Sequence, residues 1–213
     1  MTKKERYRVV MEWFLHNMPD AESELNFSSP FELLVAVMLS AQCTDKRVNM
    51  VTPSLFARFP DAHSMASASL DELFPYVKSV SYPNSKAAHL LEMSQMLSSE
   101  FDGVVPSSME DLTRLPGVGR KTANVVLAVA FGKAAMPVDT HVFRVSNRVG
   151  LTDNSKTPEA TEKILTKYIP SDILGRAHHW LLLHGRYVCT ARNPKCGECG
   201  ISEWCKSRGK SFR

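Results

Sequence analysis

The sequence predicts an all-α protein, and three observations lead to that prediction. Apolar residues recur at helical spacing along most of the 213-residue chain. Prolines, glycines and short polar clusters interrupt the apolar segments at short intervals. The sequence has no convincing run of alternating polar and apolar residues of the kind that marks strands. We therefore expect about ten short helices, a number set by the spacing of the turn signals.

The predicted helices follow one another between these turn signals. In chain order they include an amphipathic segment around Trp13, an apolar helix over residues 31–39, an amphipathic helix around 90–97, a short helix over 109–114 and a second apolar helix over 124–131. The two apolar segments have no polar face, so each is expected to run through a core. We expect one helical domain over residues 22–132, and a second domain formed by residues 1–21 and 133–213.

Positive charge is concentrated in two parts of the chain. Residues 114–148 have a net charge of +5 and residues 176–213 have +6, whereas the remaining residues sum to −7. A basic surface on an otherwise acidic chain suits a phosphate-rich partner, chiefly nucleic acid. The alternative from charge alone is a solvated basic surface without a partner.

The sequence predicts no membrane segment and no export signal. The longest unbroken apolar runs have seven residues, whereas a membrane-spanning helix needs about 20. The first six residues mix both charge signs and lead into an amphipathic segment rather than a signal peptide. We therefore expect a cytoplasmic protein without a membrane partner.

Four of the five cysteines form a cluster near the C-terminus. They have the spacing C-x6-C-x2-C-x5-C and are Cys189, Cys196, Cys199 and Cys205. Disulfides are rare in the cytoplasm, so a shared metal centre is the simplest reason for four thiols on one loop. Zinc and a [4Fe-4S] cluster both accept four thiolates. Zinc sites usually have two C-x2-C pairs and only one is present, which favours iron–sulfur. The alternatives are zinc, redox-active cysteines or a chance spacing.

A second motif reads Leu115-Pro116-Gly117-Val118-Gly119-Arg120-Lys121-Thr122. Its glycines permit positive φ and close backbone approach, and the helix that follows presents backbone N–H groups to an anion. Helix-hairpin-helix elements hold a DNA phosphate in this way without reading the base sequence. We place such an element at about residues 108–131; the alternative is an ordinary turn between two helices.

Lys121 and Asp139 form the candidate catalytic pair. A neutral lysine amine is a nucleophile that forms Schiff bases, although a lysine here could also simply contact a phosphate. Asp139 lies eighteen residues later, within Pro137-Val138-Asp139-Thr140-His141-Val142-Phe143-Arg144-Val145, where a helix should begin. A carboxylate there caps the helix, and it could also accept the lysine proton or stabilise positive charge on a sugar.

Taken together, these motifs resemble the endonuclease III family of helix-hairpin-helix DNA glycosylases over nearly the whole chain. The residues that carry the resemblance are Leu39-Ser40-Ala41-Gln42-Cys43-Thr44-Asp45, residues 115–125, residues 138–145, His184-Gly185-Arg186-Tyr187 and the loop over residues 189–205. The resemblance implies a six-helix barrel domain beside a helical domain that holds one [4Fe-4S] cluster, with a DNA cleft between them.

The resemblance also implies the function. Such an enzyme removes oxidised or otherwise damaged pyrimidines from duplex DNA and cleaves the strand 3′ to the abasic site by β-elimination. Lys121 would be the nucleophile that forms the Schiff base, and Asp139 would assist base removal. The implied partner is duplex DNA that contains damaged pyrimidines or abasic sites. We expect a monomer associated with a bacterial nucleoid.

The resemblance implies DNA contacts for seven further residues. They are Gln42, Tyr82, Gly117, Gly119, Arg120, His141 and Arg144. Gln42 would fill the gap left by the extruded base. The second inserting loop departs from the family, which often has Gly-Leu-Tyr where this chain has Ser81-Tyr82-Pro83. An aromatic ring at Tyr82 can still enter a base step; the alternative is a surface loop residue.

Two other functions remain open at this point. A non-catalytic DNA-binding module with a structural metal would also use a helix-hairpin-helix element. A monofunctional mismatch glycosylase would release a base without cutting the strand. Related adenine glycosylases lack the lysine and have a catalytic glutamate on the helix that here reads Val35-Ala36-Val37-Met38, which contains no acid.

Overall fold

A computed structural model describes residues 1–209 and confirms the all-α prediction. Over these residues the chain forms eleven α-helices and one 3-10 helix, with no strand. The helices are α1 (Lys3–Asn17), α2 (Pro30–Ser40), α3 (Asp45–Arg58), α4 (Ala62–Ala66), α5 (Leu70–Val77), α6 (Pro83–Glu100), α7 (Met109–Arg114), α8 (Arg120–Val129), α9 (Thr140–Val149), α10 (Pro158–Tyr168) and α11 (Leu174–Tyr187), followed by the 3-10 helix Ser202–Trp204. No helix in this part of the chain is both long and apolar enough to cross a membrane.

The chain divides into two compact units. The central unit is Ser23–Gly132, and the terminal unit combines Met1–Glu22 with the chain from Lys133 onward. The central unit therefore contains α2 to α8, and the terminal unit contains α1 and α9 to α11.

Helix α2 is the centre of the central unit. Ser29 caps it by accepting a hydrogen bond from the Glu32 N–H, and Pro30 occupies its first turn, where a missing N–H costs nothing. All its residues from Leu33 to Leu39 are buried, as their apolar character predicted. Helix α8 packs against α2. Only residues 123–127 of α8 are buried. Residues 128–131, which the sequence predicted to lie in a core, are half-buried because α8 ends at Val129 and the chain then leaves this unit.

The core of the terminal unit is aromatic. Phe14 of α1 stacks on Trp180 of α11, with ring centroids 6.0 Å apart and both side chains fully buried. The indole N–H of Trp180 donates a hydrogen bond to the Met18 carbonyl (2.7 Å). Helices α9 and α11 pack closely because Gly185 has no side chain: a Cβ there would lie 2.8 Å from the Cβ of His141. This close packing fixes the N-terminal turn of α9.

Candidate functional site

The hairpin between α7 and α8 presents backbone N–H groups at a helix start. Gly117 has a φ of +75°, and a Cβ at this position would lie 2.8 Å from the His89 Cβ, so both backbone conformation and space require glycine. Val118 is buried and its N–H donates to the Leu115 carbonyl, which closes the turn. Gly119 is the N-cap of α8 and has no side chain to occupy the N–H groups of the first turn. The first turn therefore has the geometry of an anion site.

Arg120 and Lys121 are the first two residues of α8, and both side chains are exposed. An amine in this position is accessible to a substrate. It also lies at the positive end of a helix dipole, which attracts a phosphate group.

Gln42 and Tyr82 are brought together in the central unit, although forty residues separate them in sequence. Both are exposed, and both line one cavity with Lys86, His89 and Gly117. The two loops predicted to enter DNA therefore border the hairpin predicted to hold a phosphate.

Asp139 caps α9, as the sequence predicted. Its Oδ1 accepts hydrogen bonds from the N–H groups of His141 (2.9 Å) and Val142 (2.8 Å). Its Oδ2 lies 2.9 Å from Nδ1 of the His141 ring. Burial alone would raise the pKa of Asp139, but the hydrogen bonds from His141 and Val142 outweigh burial and lower the pKa to about 2. At neutral pH the Asp139 side chain is therefore an ionised, partly buried carboxylate that these hydrogen bonds hold in one orientation.

Asp139 is expected to contribute about 2 kcal/mol to stability at neutral pH, from 1.36 kcal/mol per pKa unit. Its pKa falls from 3.8 to about 2 on folding. Because the folded pKa is the lower one, the contribution is complete above about pH 5 and disappears as the pH falls towards 2. Urea unfolding of the wild type and Asp139→Asn between pH 7 and pH 3 measures it. The difference in unfolding free energy should narrow in acid; a constant difference contradicts the assignment.

Two arginines on α9 fasten the cysteine loop. Arg144 donates from Nε to the Cys189 carbonyl (3.0 Å) and from Nη2 to the Gly185 carbonyl (2.8 Å). Arg148, one turn later, donates to the carbonyls of Thr190 (2.7 Å) and Ala191 (2.6 Å). The structure thus gives Arg144 a structural role, and its DNA contact stays a prediction. Arg148 was not among the residues predicted from the sequence, although its i, i+4 spacing from Arg144 places both side chains on one face of α9.

The four clustered cysteines line a single cavity. Cys189, Cys199 and Cys205 are half-buried, and Cys196 is exposed at the rim. Burial raises the pKa of the Cys199 and Cys205 thiols, and the other cysteines of the loop raise it further. These thiols resist ionisation on their own. Loss of their protons becomes favourable once the sulfur atoms bind a cationic centre.

The four cysteines line one common cavity, and four thiolates are the ligand set of an iron–sulfur cluster. His184 lies behind them, with Nε2 3.5 Å from the Cys199 sulfur, and burial lowers the pKa of His184 to about 4, so the ring is neutral at pH 7.

Comparisons with known proteins agree with this geometry. Residues 35–171 match the family model of the HhH-GPD superfamily base excision DNA repair proteins, and residues 189–205 match that of the iron–sulfur binding domain of endonuclease III. The chain is 42% identical to endonuclease III of Escherichia coli strain K12 over 210 residues, which cover 99% of both chains. It is 47% identical to endonuclease III of Rickettsia felis over 197 residues, or 92% of both chains.

Solved structures give the same result. The fold matches an endonuclease III trapped as a covalent intermediate with DNA, with a TM-score of 0.92, 41% identity and 97% of each chain covered. A non-covalent endonuclease III–DNA complex matches with a TM-score of 0.92, 40% identity and 97% of each chain covered. A thermostable thymine-DNA glycosylase matches with a TM-score of 0.88, covering 96% of this chain and 97% of the other, but at 22% identity it supports the fold alone.

Proposed function

The chain belongs to the endonuclease III family of base excision DNA repair proteins, and on that premise we propose which of its residues perform the reaction. It is a DNA N-glycosylase and AP lyase that acts on DNA and contains one [4Fe-4S] cluster. The non-catalytic DNA-binding module is not favoured. The observation that most supports our assignment of residues is the exposed amine of Lys121 in the first turn of the hairpin helix α8.

Lys121 is the proposed nucleophile. The lone pair of its Nζ attacks C1′ of the damaged nucleoside, the bond from C1′ to the base breaks, and the base leaves with the bonding electron pair. The sugar ring opens to give a Schiff base between Nζ and C1′. Loss of the C2′ proton then sends an electron pair towards C3′, and the bond to the 3′-phosphate oxygen breaks. Water hydrolyses the imine and restores the lysine.

Asp139 is the proposed carboxylate of the first step. Its low pKa keeps it ionised, so it can stabilise positive charge on the sugar. The second role that we propose for it is to receive the proton that the lysine loses. The His141 ring and two backbone N–H groups hold the carboxylate in one orientation. The capping role and the catalytic role therefore use the same geometry.

The remaining site residues are proposed to hold DNA. The N–H groups around Gly117 and Gly119, with the side chain of Arg120, bind a backbone phosphate. Gln42 fills the space that the extruded nucleotide leaves, and the Tyr82 ring enters a base step as a wedge. His141 and Arg144 lie at the start and middle of α9, and we propose that they contact the strand near the lesion.

Cys189, Cys196, Cys199 and Cys205 are the proposed ligands of the cluster. When bound, the cluster supplies a rigid cross-link that fixes the loop. The loop itself carries Arg192 and Lys195, so fixing it presents ordered cations to DNA phosphates. Arg144 and Arg148 hold the same loop to α9 from its other side.

Cys205→Ser is expected to remove the cluster. The purified variant should lack the brown colour of a thiolate-bound iron–sulfur centre, and it should lose at least about 2 kcal/mol of unfolding free energy. Visible absorption, iron analysis and urea unfolding measure these effects. Cys43→Ser, in the central unit, is the matched control and should stay brown. A Cys205→Ser variant that keeps the colour and the iron content of the wild type would contradict the ligand assignment.

We propose oxidised or otherwise damaged pyrimidines as the substrates and a monomer as the active form. The protein would work on the nucleoid of a bacterial cytoplasm. The low-pKa carboxylate of Asp139 and the exposed amine of Lys121 support the proposed reaction. The bacterial relatives at 42–47% identity support the proposed cellular location.

A strand-cleavage assay tests this function. Duplex DNA with one thymine glycol should be nicked without alkali and leave an unsaturated aldehyde on the 3′ end. A monofunctional glycosylase would release the base and nick the strand only after alkali. A DNA-binding module would do neither, and that result would overturn the proposal.

A further inference from the structure

The two inserting loops are held in an uncommon backbone conformation. Gln42 has a φ of +53° and Tyr82 a φ of +55°, both in the left-handed region. Residues other than glycine adopt this region rarely, so surrounding contacts must hold them there. The contacts that hold Gln42 and Tyr82 in this conformation therefore show how the two loops are positioned before DNA binds.

A direct hydrogen bond joins the two loops. The Ser81 hydroxyl donates to the Gln42 carbonyl at 2.7 Å. Gln42 is itself an inserting residue, and Ser81 directly precedes the other one, Tyr82. The bond therefore fixes the spacing between the Gln42 and Tyr82 backbones directly at the tips of the loops.

A second contact links the same segments at the end of α2, where the Gln42 loop begins. Lys86 is only 8% exposed and donates from Nζ to the carbonyls of Leu39 and Ala41, both at 2.7 Å. These carbonyls lie at the C-terminal end of α2, where the helix dipole favours a cation. The Lys86 N–H also donates to the Tyr82 carbonyl (3.1 Å) as α6 begins. Lys86 thus anchors the base of both loops, and Ser81 anchors their tips.

We propose that Ser81 is a positioning residue that makes Gln42 and Tyr82 enter the duplex as one preformed unit. The hydroxyl of Ser81 makes the inter-loop bond, which a residue without a side-chain donor could not make. Fixing both loops before binding removes the entropy cost of ordering them against the DNA. The inference rests on the proposed function, since it concerns extrusion of a damaged nucleotide.

Single-turnover base excision from duplex DNA with thymine glycol opposite adenine tests this role. Ser81→Ala should slow excision by about three- to tenfold, the effect of one uncharged hydrogen bond. Ser81→Thr keeps the hydroxyl and should restore most of the rate. Ser79→Ala, an exposed serine two residues earlier, should leave the rate unchanged.

A second background separates positioning from general destabilisation. When Gln42 and Tyr82 are both alanine, adding Ser81→Ala should change the rate by less than about twofold, because the groups it positions are gone. An equal loss in both backgrounds would overturn the proposal, and so would an unchanged rate in the wild-type background. Borohydride trapping of the wild type on a preformed abasic site checks the proposed function separately, so its failure is distinguishable.

Discussion

The Lys121→Gln variant is expected to form no borohydride-reducible adduct with abasic DNA and to leave the strand intact. Glutamine keeps the length and polarity of the side chain but has no nucleophilic amine, so no Schiff base can form. We expect the rate of strand cleavage to fall by more than about a thousandfold, as when the nucleophile of a covalent mechanism is removed. Denaturing gels of borohydride-treated reactions measure the adduct.

The matched control is Lys163→Gln. Lys163 is an exposed lysine on α10, in the terminal unit, and it has no proposed contact with DNA. This variant should trap as well as the wild type. Binding of Lys121→Gln to abasic duplex, measured at fixed salt, should persist and show that the hairpin still folds. Trapping by Lys121→Gln at the wild-type level would show that another amine is the nucleophile.

Asp139→Asn is expected to lower base excision by about 10²- to 10⁴-fold, the range for loss of a positioned acid–base group. Asparagine caps a helix as well as aspartate does, so α9 should keep its start while the charge disappears. Single-turnover release of thymine glycol measures the loss. The effect on a preformed abasic site should be smaller, because the assisted step is removal of the base.

Asp139→Ala separates the two roles of this carboxylate. Alanine removes the charge and the cap together, so it should match the asparagine variant in activity but lose about 1 kcal/mol more of unfolding free energy. Activity in either variant close to that of the wild type would show that Asp139 only caps α9.

The helices and the cysteine site were predictable because their signals are local. Ser29-Pro30 before an apolar run identifies the start of α2, and Asp139 before His141 identifies the start of α9, since caps depend on residues within one turn. The spacing of the four cysteines indicated a shared centre for the same reason. The spacing alone left zinc open, and the match of residues 189–205 to the iron–sulfur binding domain of endonuclease III favours the cluster.

Contacts between distant segments were not predictable from the sequence. Nothing in the residues around Ser81 indicates that its hydroxyl reaches the Gln42 carbonyl, 39 residues away. The DNA contact of Arg144 was predicted from the family resemblance, which does not show that its guanidinium donates to the carbonyls of Gly185 and Cys189. Lys121 and Asp139 are close in sequence but belong to different compact units.

Mapping the covalent adduct tests the central claim most directly. Wild-type protein is trapped on abasic duplex with borohydride, digested with nuclease and protease, and the modified peptide is sequenced by mass spectrometry. The account predicts one sugar-modified peptide, with the reduced linkage on Nζ of Lys121. A linkage on another amine, such as Lys86 or the N-terminus of Met1, would contradict it.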